Sequence, residues 1–304
     1  MPSSKIKSLN REYSIENHLI FKEGLGELVY AEIKNEAASG QIFLHGAQIT
    51  SFIPHGQEPV LFLSPLSQYE PGKAIRGGIP ISWPWFADHP TDDTKPAHGF
   101  ARTSLWDVRA TKRISEAETQ IVLGLVGNQS TCEIWDYRFD LELTVTTGKE
   151  LNAQLTMTNS GNQEFTVTSA FHSYYKVGNV NDVTISGLEG ANYIDKVNNF
   201  TKKIQEGPIR ITSETDRIYL DTTRDCVIDD PVLKRKIRVC KSDSNSTVVW
   251  NPWSYKAQQM KDLGDQDYLN FVCVETTNAG EDIISISPGK QHKLEMNVTV
   301  ENFK

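Results

Sequence analysis

FDLELTVTTGKELNAQLTMTN, residues 139–159, alternates apolar and polar side chains with a period of two on both sides of a short turn. Phe139, Leu141, Leu143 and Val145 fall on one face, and Leu151, Ala153, Leu155 and Met157 do the same. Successive strand side chains point to opposite faces, whereas a helix would repeat its apolar positions every three to four residues. Thr147-Gly148-Lys149-Glu150 therefore joins two antiparallel strands as a hairpin, with one face toward a core and one toward water.

The same rhythm extends in both directions. Upstream, apolar bursts at 28–33, 40–45, 49–53 and 60–63 are divided by Ala38-Ser39-Gly40 and Pro54-His55-Gly56, the pattern of an antiparallel meander. Strand character returns at 103–110 and at 121–126, which Gly127-Asn128 ends. Downstream, Ser160-Gly161-Asn162 turns the chain into 164–172, where Thr166, Thr168, Ala170 and His172 share a small, polar face. Short strands are expected at 183–188, 209–212, 218–220 and 236–239, and stronger ones at 247–250 and 269–275. A second hairpin is expected at the end, 283–287 and 294–300 around Pro288-Gly289-Lys290. Helix signals are weak everywhere, and no repeat or linker marks a boundary. The expectation is a single all-β domain over residues 1–304, built as two large stacked antiparallel sheets that leave a concave polar face for a ligand.

At 304 residues, with 38% hydrophobic and 23% charged side chains, the chain can bury a sizeable core. A net charge of -8, spread among mixed signs, argues against nucleic acid or an anionic membrane as partner but leaves room for a local anion pocket. The N-terminal residues lack the apolar run of a secretion signal, and no later run is long enough to span a bilayer. Cys132, Cys226, Cys240 and Cys273 are widely spaced and read as reduced thiols of a cytoplasmic protein, not as a zinc site or disulfide frame. No histidine pair has helical ligand spacing, so a metal is not expected.

One stretch breaks the strand pattern. RGGIPISWPWFADHPTDDTKPAHGFAR, residues 76–102, holds two arginines, two histidines, two tryptophans, four prolines and three glycines without a regular period. Proline withholds backbone donors and glycine permits unusual dihedrals, so this is a shaped loop. Its aromatic rings suit the apolar face of a sugar and its guanidinium forks suit phosphate; a rigid crossover with structurally paired arginines is the alternative. Among the histidines, His18, His45, His55, His89 and His292 read as solvated surface positions, whereas His98 sits in the loop and His172 ends the polar strand face. Glu275 shares strand parity with Phe271 and Cys273; a carboxylate there is either functional or already at the solvent-exposed strand end. Asp216 and Arg217 form a further polar cluster, for which a solvated turn is the plain reading.

Arg76-Gly77-Gly78-Ile79-Pro80, Trp83-Pro84-Trp85-Phe86 and His98-Gly99-Phe100-Ala101-Arg102 resemble the signature of the hexose-6-phosphate mutarotases, or glucose-6-phosphate 1-epimerases, of the galactose mutarotase-like superfamily. The likeness continues in order through Gly46-Ala47-Gln48-Ile49-Thr50, Leu61-Phe62-Leu63-Ser64, Phe171-His172-Ser173-Tyr174, Thr215-Asp216-Arg217, Val249-Trp250-Asn251-Pro252-Trp253 and Val272-Cys273-Val274-Glu275. It implies a β-supersandwich acting as a monomer on a hexose 6-phosphate, without cofactor. It also implies His172 and Glu275 as the catalytic pair, Arg76 and Arg102 as phosphate and sugar contacts, Asp216 on a sugar hydroxyl and His98 in the pocket wall. Glu275 as carboxylate would take the C1 hydroxyl proton, and His172 as imidazolium would protonate the ring oxygen, each state sustaining the other. Ala97 replaces a glutamine that some members carry, which bears on the preferred sugar, and the acidic insert at 88–95 borders the pocket rim. The alternatives are an aldose 1-epimerase of unphosphorylated sugars and a non-catalytic sugar-phosphate sensor.

Overall fold

The quoted hairpin forms as read. In the computed structural model, which describes residues 2–303, Phe139–Thr147 and Leu151–Asn159 pair antiparallel from Phe139↔Asn159 to Thr147↔Leu151. Their side chains alternate between buried and partly exposed along both strands. They lie inside an eight-stranded antiparallel sheet that runs Thr184–Ser186, Cys226–Asp230, Arg235–Ser242, Gln291–Asn302, Leu151–Asn159, Phe139–Thr147, Glu118–Val126, Asp107–Ser115.

A second eight-stranded sheet faces it. Its path is Thr201–Ile204, Asn192–Asp195, Thr215–Tyr219, Ser246–Asn251, Phe271–Asn278, Ser169–Phe171, Ile81–Ser82, and Tyr174–Lys176 also pairs with Phe271–Asn278. Val249, Val272 and Val274 join Leu143 and Leu155 of the first sheet in one apolar core. The opposite face of the same strands is covered too: Val248, Trp250, Phe271 and Cys273 pack with Phe62, Tyr174 and Leu263. Both central strands, Ser246–Asn251 and Phe271–Asn278, are accordingly buried at every position. A four-stranded meander of Leu19–Glu23, Val29–Lys34, Ala38–Phe43 and Gln48–Pro54 follows sequence order.

The loop at 76–102 lies over the second sheet and is fastened by backbone proximity. Ile81–Ser82 pairs with Ser169–Phe171. Gly99 has φ +68, and a Cβ there would sit 2.0 Å from the Trp83 carbonyl oxygen; at Gly77 (φ +107) one would sit 2.4 Å from the Phe62 oxygen. No side chain fits at either position.

Four expectations change. The C-terminal hairpin does not form: Ile284–Ile286 pairs with Phe165–Val167, while Gln291–Asn302 lies between Arg235–Ser242 and Leu151–Asn159. The buried face of Leu294, Met296 and Val298 gains a ladder on both sides there, more than a short hairpin partner offers. Residues 209–212 contribute only a single bridge, Ile185↔Ile209. Pro2–Tyr13 is a helix, with Leu9 and Tyr13 against the core and the Asn10 amide bonded both ways to the Phe21 backbone at 2.8 and 2.7 Å. Finally, His18 and His45 are buried, because His18 Nδ1 lies 3.0 Å from Thr119 Oγ1 and His45 Nε2 donates to the Lys73 carbonyl at 2.6 Å.

Candidate active site

Strand parity carries Glu275 onto the covered outer face of the second sheet, opposite Val248. His172 follows Ser169–Phe171 directly, and its backbone N–H donates to the Pro80 carbonyl at 2.9 Å, which ties it to the loop. Asp216 comes from the strand Thr215–Tyr219, opposite Trp250. The loop adds Arg76, His98 and Arg102. All six candidates read from the sequence line one cavity of about 350 Å³, a volume typical of small-molecule sites. Asp216 is no solvated turn residue: it pairs with Lys196 at 3.1 Å and its side chain is 13% exposed.

At the floor, His172 Nδ1 lies 3.3 Å from Glu275 Oε1, with both side chains buried. The approach is close but misaligned for a hydrogen bond, and among the described residues neither His172 Nδ1 nor Glu275 Oε2 has another partner. Burial pushes Glu275 well above the ordinary carboxylate range, with the Asp216 charge adding to it, while Lys196 and Arg102 pull the other way. Burial likewise pushes His172 well below the imidazole range, and Arg102 and Arg76 reinforce that. Burial thus works against the expected carboxylate–imidazolium pair in the sugar-free site. Desolvation opposes the charge on each partner, and the attraction between the two charges would offset part of that cost.

His98, with φ +64, has its Nδ1 3.3 Å from the donating Ala87 N–H and 3.1 Å from Ser82 Oγ. Since Nδ1 accepts there, Nε2 carries the proton. Burial and the Arg102 charge hold this ring well below the usual imidazole range, so it is a neutral donor.

The two arginines differ. Arg76 gives Nε and Nη2 to Asp262 Oδ2 at 3.1 and 3.0 Å and Nη1 to Tyr174 Oη at 2.9 Å. Despite burial its pKa is raised, because Tyr174 and Asp262 favour the cation. Arg102 donates Nη2 to the Ala97 carbonyl at 2.8 Å, and its Nε is buried without a partner. No carboxylate pairs with it among the described residues; burial, seconded by Arg76, brings its pKa down to about 10. A largely buried guanidinium so poorly compensated is an anion receptor in waiting.

Sequence reasoning missed Lys196, Lys256 and Asp262. Lys196 and Lys256 line the same cavity, and Lys256 pairs with Glu214 at 2.8 Å. All three are polar residues in turn-like or helical surroundings with no local pattern to single them out. Donor atoms of His172, Cys273 and Glu275 lie within 4.8 Å of one another, but burial, aided by Glu275, pushes the Cys273 thiol well above its ordinary value. It stays a protonated, poor metal ligand.

A mostly β frame that sets a buried carboxyl group and an imidazole in a polar, cation-lined cavity has the form of a site for a small polar molecule. Comparison with known proteins narrows the class. A family model described as aldose 1-epimerase matches residues 30–299. A protein of Escherichia coli K12, provisionally named glucose-6-phosphate 1-epimerase, is 34% identical over 264 residues, covering 86% of this chain and 87% of its own. One from Cenchrus ciliaris with the same provisional name is 34% identical, covering 88% and 82%. The crystal structure of YeaD from Salmonella typhimurium, provisionally titled a mutarotase, superposes with a TM-score of 0.89 at 31% identity, covering 99% of this chain and 100% of that one. This chain belongs to the aldose 1-epimerase family and is an isomerase.

Proposed function

We propose that the enzyme interconverts the α and β anomers of a hexose 6-phosphate, glucose 6-phosphate first among them. The observation that carries this reading is Arg102, a largely buried guanidinium without a carboxylate partner in the cavity of the Glu275–His172 pair. A phosphate supplies the missing anion through charge-assisted hydrogen bonds, about twice as strong as neutral ones. The provisional names of the relatives point to the same substrate.

In the ring-opening step Glu275 as carboxylate removes the C1 hydroxyl proton, His172 as imidazolium protonates the ring oxygen, and the C1–O5 bond breaks. The products are an open aldehyde, a carboxylic acid and a neutral imidazole. Those are the protonation states that burial favours, so the site is matched to the proton arrangement of the open-chain intermediate. Rotation about C1–C2 and closure on the other face return both protons. A phosphate on Arg102 also offsets one of the charges that hold His172 low, which favours the imidazolium needed to begin. Asp216 accepts from a sugar hydroxyl and His98 donates to one. We read the setting as cytoplasmic and the acting unit as a monomer.

Anomer exchange of glucose 6-phosphate and of free glucose, followed by NMR with and without the protein, tests this. Acceleration confined to the phosphate ester is expected. Equal acceleration of both sugars would assign a general aldose epimerase, and binding without acceleration a sensor.

A further inference from the structure

We infer that Tyr174, Arg76 and Asp262 form a positioning chain for His172, so that Arg76 serves the catalytic ring as much as the ligand; this rests on the epimerase reading above. An acid–base histidine is commonly aimed by a hydrogen bond to its second ring nitrogen. Here that device is missing: His172 Nδ1 is buried without a hydrogen-bond partner, although Glu275 is close. What fixes the ring is flat contact. Tyr174 lies parallel to it, 9° between planes and 4.9 Å between centroids. Trp250 meets both rings edge-on, at 5.8 Å from His172 and 5.9 Å from Tyr174. Tilting Tyr174 therefore tilts His172.

Tyr174 is in turn anchored at its far end. It is buried, and its hydroxyl accepts from Arg76 Nη1 at 2.9 Å. Asp262 takes two more of the Arg76 N–H groups, so three of the five donors of that guanidinium face the protein. Asp262 sits beyond the helix Trp253–Gln259 and does not line the cavity. Its carboxylate reaches His172 through Arg76 and the tyrosine ring, beside a direct charge effect on Arg102. Arg102, with one backbone acceptor, is left as the guanidinium with capacity for the substrate.

The test measures kcat and KM for glucose 6-phosphate by NMR exchange in the wild type, Tyr174→Leu, Tyr174→Phe and Asp262→Asn. It also records the His172 Hε1 resonance of each sugar-free protein, which the tyrosine ring current shifts. Losing the platform in Tyr174→Leu is expected to lower kcat about 100-fold, the cost of a misplacement near 1 Å, with KM within about threefold. Tyr174→Phe keeps the ring and restores kcat to within about tenfold of wild type. Asp262→Asn, which loosens the anchor and keeps the ring, is expected to lower kcat by no more than Tyr174→Phe does, about tenfold, and to move the His172 resonance. A wild-type kcat and resonance in Asp262→Asn would overturn the chain, as would a loss in Tyr174→Leu that appears in KM alone. Asp262→Asn, at a partly exposed site, decides the matter even where Tyr174→Leu fails to fold. If the wild type accelerates no sugar while the resonance moves as expected, the positioning stands and the epimerase reading falls.

Discussion

The two eight-stranded sheets solve different problems with the same backbone geometry. In Phe139–Thr147 and Leu151–Asn159 each buried residue is followed by a partly exposed one. In Phe271–Asn278 all eight positions are buried, among them Glu275, Thr276, Thr277 and Asn278. A sheet with one wet face can stabilise the fold, but any carboxylate on its outer side is hydrated and behaves ordinarily. A sheet covered on both sides can keep a carboxyl group out of water, and only there can it hold a proton near neutrality. The loop at 76–102 supplies part of that cover. Both sheets build the common core, and on the proposed reading the second also carries the reactive groups at some cost in stability.

Three substitutions sharpen or break that division. Glu275→Gln is expected to fold and to lose roughly 10³-fold in turnover, within the usual range for a general acid–base group. The sign of its stability effect follows from linkage. Because the folded pKa lies above the ordinary 4.5, wild-type stability declines as pH rises from there until the folded pKa is passed. Urea titrations should show the Glu275→Gln variant gaining on wild type as pH rises above 4.5; a constant difference would mean that the carboxyl is not buried as an acid. Arg102→Ala comes next, with kcat/KM for glucose 6-phosphate falling about 100-fold, the equivalent of charged hydrogen bonds worth about 1.5–3 kcal/mol. Free glucose should be untouched, and equal losses on both would remove the phosphate from this arginine. Leu143→Ala, in the first sheet, should cost about 2–5 kcal/mol in unfolding measurements yet leave turnover per folded molecule unchanged. A drop in turnover there would show that the sheets are not independent.

How legible all this was in the sequence depended on what each residue answers to. Period-two alternation is a local property, so the hairpin and the side on which Glu275 lies could be read directly. His172 was reachable for the same reason, through the polar face it shares with Thr166, Thr168 and Ala170. Partnering is not local. Ile284–Ile286 looked like half of a hairpin but pairs with Phe165–Val167, more than a hundred residues upstream. The burial of His18 depends on Thr119, and the helix Pro2–Tyr13 depends on the Phe21 backbone and a narrow apolar stripe too short to announce itself. The cost of charging the pair was hidden for a related reason: attraction between Glu275 and His172 is visible from their types, whereas desolvation is visible only once both faces of the strand are seen to be covered. Asp262 and Lys196 carry no pattern at all; they are ordinary polar residues whose partners make them matter.

The crowding at Gly77 and Gly99 has a consequence for speed. Where the loop backbone touches its neighbours this closely, its N–H and C=O groups are already engaged with Trp83, Ala87 and Phe62, and swinging it open would break those bonds. Turnover that leaves those bonds intact asks no gating motion, and the traffic is then governed by encounter. For an anionic sugar the positive field around Arg102 then acts as a funnel in a molecule that is otherwise net negative, and dissolved salt narrows that funnel.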